Sequence, residues 1–100
     1  MSRGASIYLE QACGSCHGDN AAGAQGPNIT FSSTAGIGRW SYQQFRDSLR
    51  LARRPDGTEL CALAAPYPET DLSEREILDL YAFLMSKPIV NVVNRGTYCP

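Results

Sequence analysis

The feature that most constrains this chain is a five-residue run near its start, Cys13-Gly14-Ser15-Cys16-His17. Two thiols three positions apart, with a histidine directly after the second, make a compact donor set. Such a set has three uses: a redox-active dithiol, half of a zinc site, or an attachment point for haem. A dithiol of that kind belongs in a βαβ setting, and the chain shows no such alternation of strand and helix patterns. A zinc site wants further Cys or His nearby, yet His17 is the single histidine. Covalent haem attachment uses every donor of the run. The thiols of Cys13 and Cys16 can reach the two vinyl groups along one side of a haem c and form thioethers, and His17 then lies under the iron as an axial ligand. The tether makes the cofactor permanent, so a small fold need not enclose it fully.

Length agrees with that economy. One hundred residues make a single domain, 1–100, and a domain this small buries a modest fraction of its surface unless a cofactor or staple helps. At 43% apolar and 19% charged residues the chain is globular, not disordered. A net charge of -1 without a run of one sign points away from nucleic acid. No apolar run approaches the roughly 18 residues of a membrane span. The start, Met1-Ser2-Arg3-Gly4, carries no apolar signal segment. Since haem is attached to such motifs outside the cytoplasm in most bacteria, the expectation is a mature periplasmic or otherwise exported domain whose leader has been removed, and a monomer.

Three helices are expected. Residues 5–12 lead into the motif, with Ala5 and Leu9 four apart on one face. Residues 18–28, with Gly18, Gly23, Gly26 and Pro27, read as loop. Ser41 and Gln44 match a capping box that opens a second helix carrying Phe45, Leu49 and Ala52, and Arg53-Arg54-Pro55-Asp56-Gly57 stops it with a turn. Ser73 and Glu76 form another capping box, opening a helix over 73–86 with Ile77, Leu80, Tyr81 and Leu84 as its apolar stripe, widened by Phe83 and ended by Pro88. The tail from Ile89 onward reads as irregular. With no strong strand signal, the fold class is all-α.

These segments resemble the small class I monohaem cytochromes c from end to end. Gly4-Ala5-Ser6-Ile7-Tyr8-Leu9-Glu10-Gln11-Ala12 is similar to the family's first helix, Gly26-Pro27-Asn28-Ile29 to its Gly-Pro-x-Leu segment, and Leu72-Ser73-Glu74-Arg75-Glu76-Ile77 with Leu80-Tyr81-Ala82-Phe83-Leu84 to its last helix. The resemblance implies three main helices wrapped round a covalent haem. It implies that the Pro27 carbonyl accepts the His17 Nδ1–H, and that the first and last helices cross, with Ala5 and Leu9 meeting Leu80 and Phe83 and the small Ala5 allowing close approach. It further implies that Arg39 and Trp40 meet a haem propionate; the plainer role of Trp40 is to fill the core. Leu63, Ile29, Phe31, Phe45 and Leu49 are candidates for haem-pocket walls.

One departure is conspicuous. The family's sixth ligand is a Met in the loop before the last helix, commonly followed by Pro. Here that loop is Leu60-Cys61-Ala62-Leu63-Ala64-Ala65-Pro66-Tyr67-Pro68, without Met or His. Ala65 stands where the thioether is expected, with Ala64 as second choice. A Met→Ala exchange, natural or engineered, would produce this loop. Met85 lies late in the last helix and reads as a surface residue. Tyr67 is a candidate phenolate ligand or distal hydrogen bonder, or simply pocket packing; Cys61 could ligate as thiolate but is better used in a disulfide with Cys99, because exported proteins rarely keep four free thiols. That bridge would add about 3–4 kcal/mol in the chain-entropy model. Arg50, Arg53 and Arg54 read as a solvated helix end, favourable against the dipole, or as a docking patch.

The expected function is single-electron transfer between redox partner proteins, without enzymatic turnover of its own. The alternative is a haem protein with an open or water-occupied distal site that takes small exogenous ligands and turns over peroxide weakly, since no distal His could serve as acid–base group.

Overall fold

The computed structural model describes residues 2–24, 26–60 and 66–94. Ser2 starts the first helix: its hydroxyl accepts the Ala5 N–H at 3.1 Å, and α1 runs Arg3–Glu10. The chain breaks at Ala12, which adopts a left-handed φ of 56°, and α2 follows as Cys13–His17. A long loop leads to α3, Tyr42–Leu51, and a second loop to α4, Glu74–Ser86. Both expected capping boxes are present. Ser41 accepts from Gln44 N–H while the Gln44 side chain accepts from Ser41 N–H, and Ser73 and Glu76 repeat the arrangement. Among the described residues there is no strand, only an isolated antiparallel bridge between Arg53 and Glu59 that closes the turn after α3.

Helices α1 and α4 pack together, as the all-α reading requires, but by different residues than the sequence suggests. The buried stripe of α1 is Gly4, Ile7 and Tyr8, while Leu9 is 69% exposed. The expectation that Ala5 and Leu9 make the crossing is therefore corrected. Positions 4, 7 and 8 repeat at i, i+3, i+4 on one face, and Ala5 and Leu9 lie about 100° further round the helix. Gly4, not Ala5, allows the close approach: a Cβ there would overlap the Asp79 carbonyl and the Phe83 Cβ. Tyr8 and Phe83 rings meet at 5.4 Å, and Arg3 pairs with Glu76 at 3.3 Å across the crossing.

The expected α4 stripe holds. Ile77, Leu80 and Leu84 are buried, and Tyr81 and Phe83 pack against the core. Tyr81 gathers Phe31, Tyr42 and Phe45 around it at 5.2–5.3 Å between ring centres, which joins α4 to α3 and to the loop after α2. After α4 the chain runs irregularly to 94, bound by Asn28, Thr30 and Ser32. The expected tie through Cys99 lies outside the described residues, as do Cys61 and the stretch with Leu63, Ala64 and Ala65.

Candidate functional site

The break at Ala12 turns α2 out of line with α1. Within α2, Cys13 and His17 stand four apart and Cys16 three from Cys13, so both sulfurs and the imidazole share one helical face. That face lines a cavity of about 500 Å³. The carbonyls at the end of α2 are satisfied by its surroundings. Cys16 O accepts from Gly26 N–H at 2.6 Å, His17 O from Gly23 N–H at 2.8 Å, and Gly18 O from the Tyr8 hydroxyl at 2.7 Å. These bonds tie the end of α2 to Tyr8, Gly23 and Gly26.

His17 is oriented as expected. Its Nδ1 lies 2.7 Å from the Pro27 carbonyl, which can only accept, so Nδ1 carries the proton and Nε2 is the nitrogen left for a metal. Burial pushes the imidazole below its ordinary 6.5, against the pull of the Pro27 carbonyl toward the charged form. A neutral ring is what metal ligation needs. Gly26 lies against the ring: a Cβ there would come 3.0 Å from His17 Cε1 and 3.1 Å from Nδ1.

Burial pushes the Cys13 thiol up to about 11. A redox dithiol wants the opposite shift. Nor do three or more His, Cys, Asp or Glu side chains gather at a metal-sized site among the described residues. The cavity instead suits a large, flat, mostly apolar group. Ile29, Ile37, Trp40, Phe45, Leu49, Leu72, Leu80 and Leu84 are among its walls. A reactive donor set on one face of an apolar cavity fits a haem bound through its edge and its iron.

The other sequence candidates separate. Pro27, Ile29, Trp40, Tyr67, Phe45 and Leu49 all line the cavity. Arg39, expected beside Trp40, does not; it is exposed. Trp40 N–H donates to Ile37 O at 3.0 Å, and the turn this closes sends Trp40 inward and Arg39 outward. Phe31, expected as a wall, packs on Tyr81 instead and leaves that place to Ile37. The expected solvated arginines are partly occupied. Arg50 donates to Tyr67 O at 3.0 Å, and Arg54 to Glu59 O at 2.7 Å at the cavity's edge. Burial raises the Tyr67 phenol above its ordinary 10.0. Met85 is 53% exposed and outside the lining. Tyr8, Ile37, Leu60 and Leu72 line the cavity without having been singled out for it. Tyr8 was legible as the third member of the Gly4, Ile7, Tyr8 stripe; Leu60 and Leu72 carried no periodic signal.

The sequence matches the family model described as Cytochrome c over residues 1–88. The chain belongs to the cytochrome c family. As a cytochrome c it binds haem c covalently and works by haem-mediated electron transfer. It is similar to the fructose dehydrogenase cytochrome subunit of Gluconobacter japonicus, 33% identical over a stretch covering 89% of this chain and 22% of that protein. It is also similar to the cytochrome c subunit of a quinone alcohol dehydrogenase from Gluconacetobacter polyoxogenes, 37% identical over 62% of this chain and 14% of the relative. This cytochrome c chain therefore spans about a fifth or less of the length of these curated relatives. No described helix is long and apolar enough to cross a membrane.

Proposed function

We propose that Cys13 and Cys16 hold the haem as thioethers and that His17 Nε2 is its axial ligand. The observation that carries this is the shared face of α2, with Nδ1 already committed to Pro27. Bound haem iron supplies a one-electron couple. The chain's own part is to fix the imidazole ring, keep it neutral, and exclude water with the walls of Ile29, Ile37, Trp40, Leu80 and Leu84. A proteolytic peptide containing residues 13–17 should carry the haem mass, and Cys13→Ala should leave a single thioether, seen as a shifted pyridine haemochrome band. Haem recovered free of that peptide would sink the assignment.

We further read the distal iron position as open or water-occupied. His17 is the single histidine, and the methionines are Met1 and Met85, of which Met85 is exposed and outside the cavity lining. Losing the sulfur ligand lowers the potential relative to a His/Met pair. Added imidazole or cyanide should bind the ferric protein tightly and convert high-spin to low-spin spectra; a far-red sulfur-to-iron band before any addition would refute the reading. Weak peroxide turnover follows from the same opening. The main role remains electron carriage in an exported or periplasmic setting, not catalysis, and the dehydrogenase cytochrome subunits it is similar to support a dehydrogenase as electron donor. A Cys61–Cys99 disulfide belongs to the same picture, and two free thiols in the denatured, unreduced holoprotein would exclude it.

A further inference from the structure

The segment after α4 is bonded to the loop that follows His17. Residues 90–94 run across the loop 28–32, and Asn28 is the clamp. It is 4% exposed. Its Nδ2 donates to Val90 O at 2.7 Å and to Val92 O at 3.0 Å, while its Oδ1 accepts from the Thr30 N–H at 2.9 Å and hydroxyl at 2.8 Å. Val90 N–H donates to Thr30 Oγ1 at 3.2 Å, and the Ser32 hydroxyl to Asn91 Oδ1 at 2.6 Å. The amide of Asn28 is therefore fully used, and the tail is stitched at several points.

A further bond gives this clamp a chemical consequence. Asn28 N–H donates to Asn94 O at 2.9 Å. That N–H and the Pro27 carbonyl belong to one peptide group, and the carbonyl accepts from His17 Nδ1–H at 2.7 Å. Two hydrogen bonds thus run in series through a single amide, from the imidazole to the tail. An amide that donates is polarised into a better acceptor. The tail also touches the turn that caps His17: a Cβ on Gly23 would come 2.7 Å from Asn94 Nδ2.

We propose that residues 90–94 form a strap that tunes the axial histidine through the Pro27–Asn28 peptide, with Asn28 as the positioning residue. This rests on His17 being the axial ligand. A stronger acceptor at Nδ1 makes the imidazole a stronger donor to iron and favours the ferric state. Loosening the strap therefore raises the midpoint potential.

The test uses holoprotein. Asn28→Ala removes the clamp; its midpoint potential should rise, and the His17 Nδ1 proton, followed by NMR, should exchange with solvent roughly tenfold faster. Thr30→Val, which cuts the hydroxyl's bonds to Asn28 and Val90 and keeps the Thr30 N–H bond to Asn28, should move both readouts the same way by less. Ile77→Val, a core change remote from the tail, should lower stability and move neither. An Asn28→Ala protein that is less stable but keeps the wild-type potential and proton exchange overturns the proposal. Should Asn28→Ala yield no folded holoprotein, Thr30→Val decides by the same two readouts. Wild-type protein without His17 on the iron would overturn the axial-ligand reading along with this one, so failures of the two are distinguishable.

Discussion

At the scale of single residues, the site depends as much on missing side chains as on present ones. Gly26 is the clearest case, because the His17 ring lies where a methyl group would go. Gly26→Ala forces the ring or the loop to shift by a few tenths of an ångström. Overpacking of this kind costs about 1–3 kcal/mol. The expected outcome is a protein less stable by that amount in denaturant titration, with altered His17 ring signals in its NMR spectrum. Unchanged spectra would mean that the loop 18–28 gives way instead of the imidazole. The proton on Nδ1 was legible only through the resemblance of Gly26-Pro27-Asn28-Ile29 to a known segment. No periodicity announces that a carbonyl ten positions from His17 will face it.

At the scale of elements, caps were readable and contacts were not. Ser41/Gln44 and Ser73/Glu76 are local signals, and both are realised. Glu76 does double work, accepting from Ser73 and pairing with Arg3. Hydrogen bonding to Ser73 holds its carboxyl below the ordinary 4.5, with Arg3 adding to the effect. A carboxyl depressed in the folded state contributes stability above its unfolded value and loses it as pH falls through the folded one. Wild type should therefore lose melting temperature as pH falls below the ordinary 4.5 more steeply than Glu76→Gln, whose amide can still cap. Parallel curves would remove Glu76 from the acid response. The α1–α4 crossing makes the opposite point. Gly4→Ala inserts a methyl group into the Asp79 carbonyl and Phe83 Cβ and should cost about 1–3 kcal/mol in a urea melt, whereas Ala5→Gly should cost only the helix-propensity difference, about 1 kcal/mol. Ala5 was the natural choice from sequence because the phase of a short helix cannot be set until its first residue is known. The helix begins at Arg3, not at 5, and Gly4 joins the buried face.

At the scale of the molecule, the cavity that would take the haem is cut into the core. Phe45, Leu72, Leu80 and Leu84 are buried, yet each also lines the cavity. Without the haem the apolar walls of this cavity, about 500 Å³ in volume, lose the group that would cover them. A Cys13→Ala, Cys16→Ala protein purified without haem should show greatly reduced helix content and no cooperative melt by circular dichroism. A fully helical, cooperatively melting apoprotein would show that the helices pair without their cofactor. The walls of this cavity come from all four helices and both long loops, which is why Ile37 and Leu72 were not identifiable in advance.

What the sequence determined by itself is local: the donor run of Cys13, Cys16 and His17, the two capping boxes, and the stripe of α4. Each is set by residues within a few positions of one another, where spacing alone fixes which groups can act together. What only the tertiary structure decided is non-local. It set Gly4 against Asp79 and Phe83 at the helix crossing and brought residues 90–94 across Asn28, beside the loop that bonds His17. Those outcomes depend on which surfaces meet, and steric contact between segments sixty residues apart leaves no periodic trace in either one.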